Sequence, residues 1–256
     1  MTHSDLNADR LLVLAPHPDD EAIGAGALIQ RVIARGGEVR AIFLTDGDRN
    51  PWPQRFLERK WSVTPRDRAA WGGLRRREAL ASLASLGVPR EHVSFLGFPD
   101  QQLTTLARAG DPRPLDALQA AIETFRPTLL VVPSAQDLHS DHRAAGWFAH
   151  HAIRGTGDEA PEIVTYIVHG EALPQRLHVV LELTDDERRR KREAIARHRS
   201  QLLLSRDRFL AYARPTERFY SAEFDLVCTE SRARERISKF RHTCRVVLGR
   251  SKPQET

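Results

Sequence analysis

A His, two Asp and a Glu fall within five consecutive positions of this chain, His17-Pro18-Asp19-Asp20-Glu21, and a second group, His139-Ser140-Asp141-His142, follows far downstream. Imidazoles and carboxylates are the ligands of catalytic zinc sites, which take three protein ligands and keep one position open for water or substrate. His17 and Asp20, three residues apart at a turn, can converge on one ion, and His142 can supply a third ligand. His139 lies three residues before His142, on the same face if that turn is helical. One imidazole can then ligate while the other faces a substrate. Each cluster alone also has a local reading: Asp19, Asp20 or Asp141 can cap the helix that begins beside it, and His139 can be an ordinary exposed histidine. Capping asks for neither two adjacent Asp after His-Pro nor two His flanking an Asp.

Both clusters need rigid supports, and the sequence places each after an apolar run. Leu11 to Ala15 and Thr128 to Val132 read as buried strands of a parallel sheet. The rim at the carboxyl ends of such strands is where open α/β sheets bind ligands. Between and beyond them the pattern alternates. A helix is expected over 20–35, stopped by Gly36-Gly37, then a strand from Glu38 to Thr45 closed by Asp46-Gly47-Asp48. Residues 49–66 combine Pro, Trp and charges without a period and read as a long loop. A helix over 69–86, a strand over 92–96, a helix over 114–125 and a helix opening across Gln136 to His142 and running to about 153 follow. Strands at 162–168 and 177–183, a charged helix over 185–203, a strand-like Phe219 to Cys228 and a basic helix complete the reading. The expected fold class is α/β, a Rossmann-like, mostly parallel sheet with helices on both faces in three α/β/α layers.

The 256 residues, 41% of them hydrophobic, are read as a single domain over 1–230 with a basic extension over 231–256. No apolar run approaches the ~20 residues of a membrane span. The first ten residues carry no secretion signal, and two cysteines, Cys228 and Cys244, make no disulfide framework. The expected location is cytoplasmic. The net charge of +5 is concentrated in Arg75–Arg77, Arg188–Arg192 and Arg232–Arg250. Such blocks are either solvated helix faces or an attraction for anionic partners. Nucleic acid is not expected, because no aromatics interleave with them. Gly24-Ala25-Gly26 is not a dinucleotide turn: the sixth position of the fingerprint is Ile29 and the glycines fall inside the helix, where small residues favour close packing.

Ala15-Pro16-His17-Pro18-Asp19-Asp20-Glu21 and His139-Ser140-Asp141-His142 resemble, in order, the two motifs of the PIG-L (LmbE-like) zinc-dependent N-acetylglucosaminyl deacetylases. Arg75-x-x-Glu78, Leu86-Gly87-Val88 and Leu96-Gly97-Phe98-Pro99-Asp100 resemble that family's intervening blocks. The resemblance spans about residues 10 to 170. It implies one zinc, or another divalent transition metal, held by His17, Asp20 and His142. It further implies Asp19 as the general base toward the activated water and as the acid toward the departing amine, and His139 as oxyanion donor. Asp141 is expected to orient His139 and raise its pKa. Glu21 is read as a supporting or helix-dipole residue.

The resemblance implies a small or lipid-linked amino-sugar substrate. Asp46, Arg75 and Asp100 are candidate substrate-binding residues, with surface pairing or turn formation as the alternative. Trp52 and Trp61 belong either to a lid with an aromatic face or to a packed surface loop. Thr45-Asp46-Gly47-Asp48 departs from the Thr-x-Gly-Glu of many relatives by its shorter acid. Peripheral contact with an anionic membrane surface and homo-oligomerisation are further candidate associations. The rival readings are a zinc amidohydrolase on a non-sugar N-acyl amine and a non-catalytic basic binding module.

Overall fold

The computed structural model describes residues 6–154, 160–171 and 174–222. Its elements run β1 (Arg10–Ala15), α1 (Asp20–Ala34), β2 (Glu38–Thr45), α2 (Pro51–Glu58), α3 (Pro65–Ser85), β3 (Val93–Phe98), α4 (Leu103–Ala109) and α5 (Arg113–Phe125). There follow β4 (Leu129–Pro133), α6 (Ser140–Ile153), β5 (Glu162–Tyr166), β6 (Leu177–Glu182), α7 (Asp185–Ala196), α8 (Arg199–Leu210) and β7 (Thr216–Ser221). One seven-stranded sheet has the order β3-β2-β1-β4-β5-β7-β6. β3 through β5 are parallel, whereas β7 runs antiparallel to both β5 and β6. The expected mostly parallel sheet is therefore present, with an antiparallel edge.

Alternation along the strands builds the three layers. Leu11, Val13 and Ala15 of β1, with Val39, Ala41 and Phe43 of β2, point to the face covered by α1, α3 and α7. Leu12 and Leu14, with Ile42 and Leu44, point to the opposite face, covered by α4, α5 and α6. Successive side chains leave a strand on opposite sides, so a strand buried on both faces is apolar throughout. Each fully buried Leu, Ile or Val contributes about 1.5–3 kcal/mol of burial.

The order places β2 on one side of β1 and β4 on the other. β1 and β4 are thus the neighbours at which the chain's winding reverses, and the crevice opens beyond their carboxyl ends. Residues 16–19 leave β1 and residues 134–139 leave β4 at this crevice.

Several expected elements differ. The 49–66 stretch holds α2 and the start of α3, because Asn50 caps one helix through the Trp52 N–H and Thr64 with Asp67 forms a capping box for the other. α4 lies where no helix is expected; it is only seven residues long and stops at Gly110, φ 69°. The single helix expected over 185–203 is two helices broken at Arg197-His198. The helix expected from Gln136 begins at Ser140, since residues before it turn around Asp137. β7 begins at Thr216; the strand-like stretch beyond residue 222 and the basic helix and extension at 231–256 lie outside the described residues.

Candidate metal and catalytic site at the switch point

The turn after β1 sets the first cluster. Asp19 is the N-cap residue of α1 and sits at φ 124°, ψ −31°, a conformation costly for a side chain with a Cβ. Its N–H donates to Glu21 Oε2 at 2.8 Å. Asp20 and Glu21 occupy the first turn of α1, where the helix dipole favours negative charge. Asp20 Oδ2 accepts from the His17 N–H at 2.9 Å, lies 3.1 Å from His17 Nδ1 and stands 3.2 Å from His142 Nε2. The three expected ligands are thereby brought together from the turn after β1, from α1 and from α6.

His142 Nε2 is buried and lacks a hydrogen-bond partner. Its other nitrogen, Nδ1, is 3.1 Å from Asp137 Oδ2. A buried imidazole oriented through one nitrogen, with the other aimed bare at a carboxylate and a second imidazole, is the arrangement of a metal ligand with its supporting carboxylate. The residues present therefore fit a divalent metal. Donor atoms of His17, His139 and His142 also lie within 4.8 Å of one another, as do those of His17, Asp100 and Asp141. In those alternative sets, however, His139 Nδ1 already accepts from the Asp141 N–H, and both Asp100 and Asp141 already accept backbone N–H groups. The unpartnered His142 Nε2 belongs both to the His17–Asp20–His142 set and to the His17–His139–His142 set, and of the two added residues only Asp20 brings a negative charge to the site.

The local field supports the same reading. Burial pulls the His17 pKa down, but Asp100, Asp141 and Asp20 outweigh it and hold it well above the ordinary imidazole value. Burial likewise opposes the charge of His142, yet Asp20 and Asp137 raise its pKa to about 9. Asp20 is held well below the usual carboxylate range despite burial, chiefly by His142 and His17. These carboxylates draw positive charge to one spot between strands, as a cation site requires.

Asp19 lies beside this group and its carboxyl is pushed up to about 6 by burial, against the pull of Arg75. Arg75 Nη2 donates to Asp19 Oδ2 at 3.0 Å and also to the Pro18 carbonyl, while Nη1 donates to the Gly47 carbonyl at 2.6 Å. Arg75 is buried. Its fork is therefore spent on the turn that carries Asp19, which places it as a support of that residue where sequence suggested a substrate contact. Gly47, at φ 61°, leaves the room this guanidinium occupies.

Asp100 is also buried and touches the cluster directly: its Oδ1 lies 3.2 Å from His17 Nε2, and its Oδ2 accepts from the Arg49 N–H at 2.7 Å. Asp46, by contrast, is paired bidentately with Arg76 at 2.7 and 2.8 Å. Trp52 and Trp61 are exposed, on and just beyond α2.

The expectation for Asp141 needs correction. Its carboxylate accepts from the N–H groups of Gln101 and Leu103 at the start of α4, not from His139. His139 instead accepts from the Asp141 backbone N–H through Nδ1 at 3.2 Å. Burial, followed by the charges of His17 and His142, lowers the His139 pKa to about 4; the charge of Asp141 acts in the expected upward direction but is outweighed. A neutral imidazole accepting at Nδ1 carries its proton on Nε2.

Two site residues escaped the sequence reading. Asp137, fully buried, accepts from the N–H groups of His139, Val168 and His169 and faces His142 Nδ1. Its signal was available, a carboxylate two residues before His139 in the same turn. His169 packs its ring 5.5 Å from that of His139 and 5.1 Å from that of His142, and no spacing in sequence announces it. In the two arginine blocks that lie within the described residues, several side chains are engaged within the molecule: Arg76 with Asp46, Arg189 and Arg190 with Asp186, Arg188 with the Ala213 carbonyl.

Comparison with known proteins matches residues 12–153 to the family model PIG-L, described as GlcNAc-PI de-N-acetylase. The chain is 30% identical over 183 residues to the 1D-myo-inositol 2-acetamido-2-deoxy-alpha-D-glucopyranoside deacetylase of Mycolicibacterium vanbaalenii, covering 66% of this chain and 62% of that protein. Among solved structures, the N,N'-diacetylchitobiose deacetylase of Pyrococcus horikoshii superposes with a TM-score of 0.62 at 22% identity over 83% of each chain. The 4-carboxy-2-hydroxymuconate hydratase of Pseudomonas putida does so with 0.62 at 21% identity, over 88% of this chain and 99% of that one. A deacetylase and a hydratase on one sheet mean that the residues at the rim, not the fold, must carry the functional argument.

Proposed function

The chain belongs to the PIG-L family, and from that premise we propose that it is a zinc-dependent N-deacetylase that removes the acetyl group from an N-acetylated amino sugar of the N-acetylglucosamine type. The observation that carries this reading is the bare, buried Nε2 of His142 facing Asp20 and His17, with Asp19 beside it. The donor set of two imidazoles and one carboxylate suits zinc, and His17, Asp20 and His142 would hold it. A bound divalent metal supplies Lewis acidity, polarising an acyl oxygen and lowering the pKa of a water from about 15.7 to near 7.

The chain's own residues do the rest. Asp19, with its carboxyl near 6, is matched to accept a proton from an attacking water and return it to the leaving nitrogen. Arg75 fixes which way that carboxylate faces. His139 presents an Nε2 proton where negative charge grows on the acyl oxygen, a donation that a neutral ring makes without losing its proton. Asp137 orients His142, and Asp141 anchors the start of α4 beside the cleft.

The test is acetate release from a panel of N-acetyl compounds, sugar and non-sugar, together with metal analysis. Asp19→Asn is expected to keep about one zinc per chain and lose at least about 100-fold in kcat, the usual contribution of a positioned acid–base group. Wild-type turnover in that variant would overturn the assignment of Asp19, and acetate released only from non-sugar amides would overturn the sugar.

A further inference from the structure

Beyond residue 153 the chain sends one buried imidazole back to the turn that carries Asp19. We propose that His198 is a positioning residue for Asp19, acting through Glu21. This rests on the deacetylase reading for its kinetic consequence, but not for its structural one. Asp19 holds φ 124°, and its N–H is fixed by Glu21 Oε2 at 2.8 Å. Glu21 is itself wholly buried, and its other oxygen, Oε1, lies 2.9 Å from His198 Nε2. Among the described residues, the Asp19 N–H and His198 are its hydrogen-bond partners. A carboxylate with no water contact stays in place only while its oxygens are paired, so losing His198 releases Glu21 and with it the restraint on Asp19.

His198 is equally specific in what it touches. It is fully buried at the break between α7 and α8, and its Nδ1 has no partner, so among the described residues Glu21 is the single hydrogen-bonding contact of its ring. The break itself is fastened two residues later, where the Ser200 N–H and Oγ donate to the buried Glu78 of α3 at 2.9 and 2.6 Å. Arg75, also on α3, holds the Asp19 carboxylate. The base is thus restrained twice: Arg75 aims its carboxylate, and the His198–Glu21 pair fixes its backbone.

The experiment compares His198→Leu with His198→Gln in the full chain loaded with zinc. A glutamine amide nitrogen reaches where the imidazole Nε2 stands; leucine fills the space without a donor. The leucine variant is expected to lose about 10–100-fold in kcat, the usual effect of removing a supporting residue, with KM and zinc content unchanged. The glutamine variant is expected to return to within a few-fold of wild type. Crystal structures of both variants supply the readout that does not depend on activity: Asp19 leaves the positive-φ region in the leucine variant and keeps it in the glutamine variant. If the leucine variant does not fold, His198→Asn, whose shorter amide falls short of Glu21, replaces it. Wild-type kcat in the donor-less variant, equal losses in both variants, or an unmoved Asp19 would overturn the proposal. A wild-type enzyme that releases no acetate, with Asp19 still moving on loss of His198, would overturn the deacetylase reading alone.

Discussion

Asp137→Asn separates a residue that orients a metal ligand from one that merely stabilises a turn. The carboxylate takes four contacts: Oδ1 accepts from the His139 N–H at 2.8 Å, and Oδ2 from the N–H groups of Val168 at 2.9 Å and His169 at 3.1 Å, with His142 Nδ1 at 3.1 Å. An asparagine offers one oxygen and one NH2 in their place. Its best orientation puts the oxygen at the Oδ2 position and keeps three contacts, which forces the NH2 against the His139 N–H. One buried donor left unpaired costs about 1–3 kcal/mol. At roughly 2–4 °C per kcal/mol for a domain of this size, the melting temperature is expected to fall by ~2–12 °C. His142 also loses a charged partner, and zinc affinity is expected to drop about 10–100-fold, or ~1.4–2.7 kcal/mol. Calorimetric melts of the chelated protein measure the first effect, and competition with a fluorescent zinc chelator measures the second. A variant that melts lower yet binds zinc as tightly as wild type would refute the orienting role. No change in either quantity would refute the four-contact geometry.

Other perturbations test the supports of α1. Lys191→Met strips the partner from Glu217, whose carboxylate accepts from the Ala27 and Leu28 N–H groups inside α1 and from Lys191 Nζ. Both residues are buried, so a loss of about 3–5 kcal/mol is expected in chemical denaturation, partly recovered by adding Glu217→Gln; a near-wild-type single variant contradicts it. Gly24→Ala would bring a Cβ to 2.4 Å from the Tyr166 ring and is expected to destabilise by ~1–3 kcal/mol, with relief on adding Tyr166→Leu; unchanged stability in the single variant would mean the ring moves freely. His198 has its pKa pulled down by burial but raised above 6.5 overall by Glu21. A raised folded pKa contributes stability fully present below the unfolded value and lost as pH rises through the folded one. The stability difference between wild type and His198→Gln should therefore be largest below about pH 6.5 and shrink at higher pH, and a difference that grows with pH contradicts the pairing.

What could be seen in advance followed from one-dimensional signals. β1 and β4 are buried on both faces, so each is an unbroken apolar run, and the polar clusters stand out where the runs stop. The expected start of α3 falls four residues late, and its buried stripe includes Arg75, Glu78 and Ser82. Its inward face grips Asp19 and Ser200 with charged groups, which weakens the apolar period by which helices are recognised and hides those contacts from a sequence reading. α2 and α4 are short and owe their bounds to caps and to Gly110, which leave little trace in hydrophobic pattern. The role given to Asp141 went astray for a different reason. Adjacency in sequence suggested a side-chain bond to His139, but on a helix the first-turn residue turns its carboxylate outward to another element, here α4.

The segment matched by the family model, residues 12–153, contains every expected ligand, the proposed base and the proposed oxyanion donor, yet it does not satisfy them by itself. Glu21 needs His198, and Glu78 needs Ser200. The N–H groups of Ala27 and Leu28 need Glu217, which in turn needs Lys191. Asp137 reaches past β4 to the backbone of Val168 and His169. These partners sit on β7, on α7, at the start of α8 and on the turn after β5, elements that contribute none of the expected ligands. Buried carboxylates cannot be left half-paired without cost, so the later part of the chain is required for the geometry of the first cluster. The last carboxylate of the His-Pro-Asp-Asp-Glu run is thus held from more than one hundred residues downstream.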